Sequence, residues 1–444
     1  MASFAAVAGA APRIRARLSN NFGHTFESLH IRDYRLLFQG SAVTSVGFWM
    51  QQAALGWLVL DLTNSPFYLG LAGFARQFPM MVVSPFGGVL ADRLDRKLLL
   101  VWTQVFQLVL CVILSALVFS GWVNIWHVLG ISFLFGSAVS MNVPARQAIV
   151  PVLVGRERLA NALALYSMSL NASRIIGPSL AGVMMGWAGV GGCLVLQSFG
   201  YLWAAANVFQ IRDVSESSTS GRSGASVVEN MMDGLRYCFS NRPLLMQLLM
   251  AAVPSVVAYP YMQFLPSFAR DVYGIGAGGL GVLMTAMGIG ALTGSFALAA
   301  RKHIAHKSLV TLGCSATFGL FLCGFAMAPS LWVGLPFLAL AGASSSVYMT
   351  LNGTIVQELT PDEYRGRVSS VYMMTWGMMP LGAVPLGAVA DVWGAPTAVF
   401  LGGAICAVFT GAMLLFGLRD LRRRPSTPAA GRASARSASR VELG

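Results

Sequence analysis

Charge is what this sequence has least of. Only 11% of its 444 residues are Asp, Glu, Lys or Arg, 56% are hydrophobic, and the mean hydropathy is +0.66. A water-soluble chain of this length needs far more charge to cover its surface, so a multi-pass membrane protein is expected. Acids are the scarcer sign, 17 against 30 Lys and Arg, which leaves a formal charge of +13. That surplus does not make a nucleic-acid binder, because the cations are spread over many short polar stretches and both ends. The six cysteines (Cys111, Cys193, Cys238, Cys314, Cys323 and Cys406) stand singly, without metal-ligand or disulfide spacing, and read as small packing residues. No Gly-rich loop with Lys-Ser/Thr is present to cradle a nucleotide phosphate, so ATP is excluded as an energy source and no cofactor is expected. The histidines (His24, His30, His127, His303, His306) are scattered, no metal set or nucleophile–base arrangement is recognisable, and the chain is not read as an enzyme. The N-terminus has arginines but no compact apolar region with a cleavage site, so the first span is read as the insertion signal.

What the sequence has in abundance is long apolar runs. They fall near 37–60, 67–91, 98–120, 125–149, 162–187, 191–211, 244–268, 276–300, 307–328, 331–357, 367–391 and 394–418. Each matches about 30 Å of hydrocarbon, and in lipid such a run must satisfy its own backbone, so twelve transmembrane helices are predicted. The connecting stretches alternate in charge. Those near 61–66, 121–124, 188–190, 329–330 and 392–393 carry no Lys or Arg, whereas those near 92–97, 150–161, 212–243, 301–306 and 358–366 carry nearly all, with both ends. Arg270 is the lone cation on the other side. The basic side is the cytoplasmic one, which places both termini inside, in a multi-pass protein of the inner (plasma) membrane.

The expected organisation follows. Residues 1–35 form a basic cytoplasmic arm, 36–211 a first six-helix bundle, 212–243 a linker, 244–418 a second bundle, and 419–444 a disordered basic tail. Within the linker, 215–226 is Ser/Gly-rich, and 227–239 spaces apolar residues as an amphipathic helix on the inner membrane surface. The halves look like repeats: Asn142 and Pro151 recur at the same spacing as Asn352 and Pro361, and Gly177 and Gly182 are matched by Gly382 and Gly387. The tightest knot of charge joins the second and third spans: Gly88, Asp92, Arg93, Asp95, Arg96 and Lys97.

That hinge resembles the signature of the major facilitator superfamily, Gly-x-x-x-Asp-Arg-x-Gly-Arg-Arg/Lys. It matches at Gly88, Asp92, Arg93, Arg96 and Lys97 and departs at Asp95, where glycine is usual. Gln51, Gln52, the run 144–147 and Arg174 through Pro178 are similar to the enterobactin-exporter-like branch. The resemblance spans about residues 30–420. It implies an all-α fold of two pseudo-symmetric six-helix bundles, alternating access around a central cavity, and export of a small molecule driven by a proton gradient.

The resemblance also implies an inner gate in which Asp92 faces the N-terminal end of the eleventh span. A carboxylate there gains about 0.3–1 kcal/mol from the helix dipole. The plainer alternative is that Asp92 neutralises its cationic neighbours. Gly177, Pro178 and Gly182 resemble an exporter signature and are read as a flexing kink in the fifth span, or as plain close packing. Arg76 and Arg174 lie inside predicted spans, where a cation costs about 2.5–3.5 kcal/mol. Each either attracts an anionic group or serves coupling, or else clamps backbone carbonyls. No acid sits at mid-membrane to carry a proton; Asp61 and Asp391 fall at outer helix ends and Glu358 at an inner one, so the coupling proton rests on the resemblance alone.

The cavity is expected between spans one, four, seven and ten, lined by Trp49, Gln51, Gln52, Asn142, Tyr259, Gln263, Tyr348 and Asn352 with Arg76 and Arg174. Gln39 and Tyr261 belong to the same set of polar and aromatic positions. Amides, aromatics and many methionines suit a bulky amphiphile, siderophore or drug-like, better than a sugar or inorganic ion. The expected partners are that substrate, membrane lipids and a proton, for a monomer that binds no nucleic acid and no metal. The alternatives are an importer, a lipid or lysolipid flippase, or a non-transporting sensor or scaffold on the same fold.

Overall fold

The computed structural model describes residues 27–93, 95–212, 227–301, 304, 306–361 and 363–423; at 81, 84–93, 227–231, 376 and 416–423 only the backbone is described. The expectations for the arm before residue 27, the stretch 213–226 and the tail from 424 lie outside these residues.

Apolar runs that must bond their own backbone become helices, and among the described residues all regular structure is helical. A short 3₁₀ turn (Glu27–His30) precedes α1 (Arg32–Thr63), α2 (Pro66–Arg93), α3 (Arg96–Phe119) and α4 (Ile125–Phe209). Then follow α5 (Val227–Ser240), α6 (Arg242–Val257) and α7 (Tyr261–Ser267), which runs into a π turn at Phe268–Val272. The chain continues through α8 (Gly276–Ala299), α9 (Lys307–Ala326), α10 (Leu331–Glu358), α11 (Arg365–Gly377), α12 (Met379–Trp393) and α13 (Ala395–Arg423). Eight helical segments among the described residues are long and apolar enough to cross a membrane.

At 85 residues α4 is too long for one crossing. Gly155 (φ 72°) and Gly189 (φ 67°) take a left-handed backbone that a side chain disfavours, and they break it into limbs over 125–154, 156–188 and 190–209, called α4a, α4b and α4c. The loop expected over 150–161 is thus reduced to one residue, with Pro151 still helical. One pair of the sequence repeat differs in the backbone: Pro361 lies after the end of α10 where Pro151 is helical, and Gly366 is inside α11 where Gly155 breaks α4.

Asp95 explains the departure from the hinge signature. Its carboxylate caps α3, accepting from the backbone N–H of Lys97 at 2.8 Å and of Leu98 at 3.4 Å. Its φ of −59° makes no demand for glycine. The linker helix α5 is more than a surface float. Cys238, Leu235 and Tyr237 pack with Leu244, Val356 and Val368, and the Tyr237 ring stacks on Tyr364 at 4.2 Å. Asp233 pairs with Arg367 at 3.6 Å, so α5 is docked on α6, α10 and α11.

Candidate functional site

Two helices are interrupted, and the interruptions build the cavity. The seventh predicted span is not one rod: Pro254 and Pro260 cannot donate to a helical ladder, and a turn at 258–260 separates α6 from α7. The eleventh span breaks between α11 and α12, just before Pro380. Broken helices release backbone and redirect side chains where a cavity lets them, as in many transporters. Tyr259, Tyr261, Met262 and Gln263 from the first break and Met379 from the second all line one cavity of about 250 Å³.

The opposite wall comes from the first half of the chain: Phe48, Trp49 and Gln52 of α1, Arg76, Gln77 and Met80 of α2, Gly136 and Val139 of α4a, and Arg174 of α4b. Met287 and Ala291 of α8, with Ser345 and Met349 of α10, complete it. The four expected helices are therefore joined by α2, α4b, α8 and α12. Among the described lining residues none is Asp or Glu, and five are methionines, whose flexible thioethers repack around differently shaped ligands.

Of the ten residues expected here, the structure brings six together: Trp49, Gln52, Arg76, Arg174, Tyr259 and Gln263. The other four point elsewhere. Gln51 is 0% exposed, its amide directed at the Cys111 sulfur of α3 at 4.0 Å, because adjacent helical residues point about 100° apart and Gln52 takes the cavity side. Asn142 donates to the Thr103 hydroxyl at 2.7 Å and accepts from Arg146 at 2.6 Å. Tyr348 donates to the carbonyl of Met250 at 2.8 Å, and Asn352 to the carbonyl and side chain of Gln247 at 3.1 and 3.0 Å. Apart from the Asn142–Arg146 bond within α4a, these are polar contacts between helices, each giving a buried donor a partner. The expectation that they line the cavity is corrected on that ground. Gln39, also expected, is exposed and does not line it. Met379 and Gln77, which the sequence reading missed, meet at 3.3 Å across the two halves.

The two arginines differ in a way no sequence property distinguishes. Arg76 is 8% exposed; its guanidinium lies 4.6 Å from the Phe48 ring centroid and 5.9 Å from that of Phe135, and both terminal nitrogens are sealed without a hydrogen-bond partner. Arg174 is only half-buried and stands 5.6 Å from the Trp49 ring. Among the described residues Arg174 has no carboxylate within 4 Å and no carbonyl as hydrogen-bond acceptor, so the clamp expected as one of its roles is not made.

Gly177, Pro178 and Gly182 keep helical dihedrals within α4b. A Cβ on Gly177 would stand 2.6 Å from the Trp49 Cβ, and one on Gly182 would stand 3.0 Å from the Gly278 carbonyl oxygen, so both serve close approach, to α1 and to α8. At the hinge, Arg96 donates to the Ala148 carbonyl at 3.3 Å, and Lys97 lies 5.7 Å from the Phe209 ring. The side chains of Asp92 and Arg93, and the surroundings of Gly88, lie outside the described residues, so the gate contact is not observed.

One face of the cavity is sealed in layers. Gln52 donates to Gln263 at 3.0 Å, joining α1 to α7 across the halves. Beyond it, α2 and α12 touch so closely that a Cβ on Gly70 would meet the Ala383 oxygen at 2.2 Å. At the end of α1, Arg270 donates to the Leu60 carbonyl at 2.9 Å, to the Asn64 side chain at 2.6 Å and to Asp271 at 2.7 Å, and Ser65 donates to Asp391. Arg270 thus satisfies a carbonyl at a helix C-terminus, where the dipole favours a cation. Among the described residues no group of three or more His, Cys, Asp or Glu is placed to hold a metal.

The chain matches the transmembrane secretion effector family over residues 24–435. It is 26% identical over 362 residues to a staphyloferrin A transporter of Staphylococcus aureus, covering 81% of this chain and 90% of that one. It is 27% identical over 410 residues to the enterobactin exporter EntS of Shigella flexneri, covering 89% and 94%. Among solved structures, a POT family transporter in complex with 5-aminolevulinic acid aligns with a TM-score of 0.69 at 12% identity, over 87% of this chain and 96% of that one, a likeness of fold.

Proposed function

Because this chain belongs to the transmembrane secretion effector family of the major facilitator superfamily, we propose that it exports a bulky amphiphilic small molecule across the inner membrane by alternating access. The observation that carries this is the cavity itself. It lies between the two halves of the chain, is walled by aromatics, amides and methionines, and is roofed on one side by Gln52–Gln263, Arg270–Leu60, Arg270–Asn64 and Ser65–Asp391 contacts, each between halves. Contacts of that kind break when the halves rock apart, so the cavity can be opened on that face without unfolding either half.

In this reading the protein has twelve spans in two six-helix bundles, 36–211 and 244–418, with both termini cytoplasmic. The sealed face is then the outer one, and the conformer is closed to the outside. Asp92 holds the inner side shut in the opposite conformer, with Arg93, Arg96 and Lys97 around it, and the protein works as a monomer by proton antiport. The transporters of siderophores among its relatives support a siderophore or drug-like cargo.

The test is accumulation of a panel of amphiphilic dyes and drugs in cells with and without the protein, each with and without a protonophore. Lower accumulation that the protonophore abolishes is expected. Higher accumulation in expressing cells favours import, and accumulation unchanged for every compound counts against transport of amphiphiles. In the same assay Asp92→Asn is expected to leave insertion intact and to cut export by about fivefold, as a loss of about 1 kcal/mol at a helix terminus implies. Export at the wild-type rate by a normally inserted D92N protein removes Asp92 from the gate.

A further inference from the structure

We propose that the cavity is an anion-binding site centred on Arg174, so that its ligand pairs a carboxylate, sulfonate or similar group with an apolar body. This rests on the transport reading only for the claim that the ligand is moved.

Three observations carry it. First, Arg174 is a charged side chain in the cavity wall that, among the described residues, holds no carboxylate and no carbonyl. Other arginines in this protein show what a structural one does. Arg270 is spent on the end of α1, Arg96 on the Ala148 carbonyl, and Arg158 on Glu27 at 3.0 Å. Second, its neighbour is an aromatic face rather than an acid. The Trp49 ring at 5.6 Å stabilises the guanidinium through its quadrupole while leaving the planar fork of N–H donors free for a bidentate anion. Third, no acid among the described residues lines the cavity, and a second cation, Arg76, backs the same wall with both terminal nitrogens unpartnered. The enclosed potential is therefore positive, and in a low-dielectric space it favours an anion and disfavours a cation. The methionines and Tyr261 offer the remaining surface to the apolar part of the ligand.

Binding is tested on full-length protein in nanodiscs, with the signal of empty discs subtracted, using 1-anilinonaphthalene-8-sulfonate and its uncharged analogue N-phenyl-1-naphthylamine. Saturable binding of the sulfonate, tighter than that of the neutral amine, is expected. Arg174→Gln is expected to weaken the sulfonate by roughly 10- to 100-fold and the neutral amine by no more than about twofold, the spread that loss of a charge-assisted hydrogen bond implies. Arg174→Lys keeps the charge without the fork and falls between them, so the proposal stays testable even if the glutamine variant melts early. Equal loss of both probes, or no saturable binding of the sulfonate by the wild type, overturns the site. Sulfonate binding in discs with no dye movement in cells overturns the transport reading and leaves the site standing; export confined to cationic dyes does the reverse.

Discussion

Gly70→Val is expected to stop transport while leaving the protein inserted and its melting temperature close to that of the wild type. A Cβ at Gly70 would stand 2.2 Å from the Ala383 carbonyl oxygen and 2.9 Å from its carbon, and a backbone group cannot turn aside as a long side chain can. The two helices must separate. Gly70 is on α2 and Ala383 on α12, so what separates is the seam between the halves, on the sealed face of the cavity. Overpacking costs about 1–3 kcal/mol, and 3 kcal/mol laid on the closed form alone moves its population by about 150-fold. Gly290 is the control. Its Cβ would stand 1.8 Å from the Ala339 oxygen, but α8 and α10 belong to the same half, so Gly290→Val has no open conformer to escape to. That variant is expected to lose yield and thermal stability. Dye export and melting temperature measured on both separate the cases; a G70V protein that exports normally removes the seam from the cycle.

The second large effect is at Arg270. Its guanidinium spans from the π turn after α7 to the end of α1, where Asn64 adopts a left-handed backbone (φ 53°) and its own N–H shares the Leu60 carbonyl at 2.8 Å. Arg270→Gln removes both bonds between halves at once. The side chain is 23% exposed, so solvent screens part of the interaction, and a loss of about 1–2 kcal/mol is reasonable, a factor of about 5–30. In a cysteine-free background carrying Met262→Cys in the cavity wall, reaction with an impermeant maleimide added on the sealed side is expected to speed up by that factor. Arg270→Lys falls between, since an ammonium cannot bridge two acceptors with one planar fork. Labelling at the wild-type rate in both variants means that the apolar seam alone holds the face closed.

Arg270 also shows where reading the sequence succeeded and stopped. It stands out there as the one cation on the wrong side of the charge alternation, and nothing local explains it. The explanation lies 206 residues away, at Asn64. The interrupted seventh span was legible in principle from Pro254, Pro260 and Pro266, which recur within an otherwise apolar run. A hydropathy average passes over them because the apolar residues around each proline outweigh it. Gln51 and Gln52 are indistinguishable by composition, as are Arg76 and Arg174, yet in each pair one lines the cavity openly and the other is turned into the first half or sealed in its wall.

The sequence alone determined the class of the protein, its all-helical fold and its superfamily. Each of these depends on a local property: how many consecutive residues tolerate hydrocarbon, and which short motif interrupts them. Only the tertiary structure decided which side of each helix meets the cavity, which glycines let two halves touch, and which arginine faces the cavity beside an aromatic ring rather than a carboxylate. Those outcomes depend on the neighbour a side chain finds across tens or hundreds of residues. One step along a helix turns a side chain by about 100°, so the pattern of residues narrows the choice of face without making it.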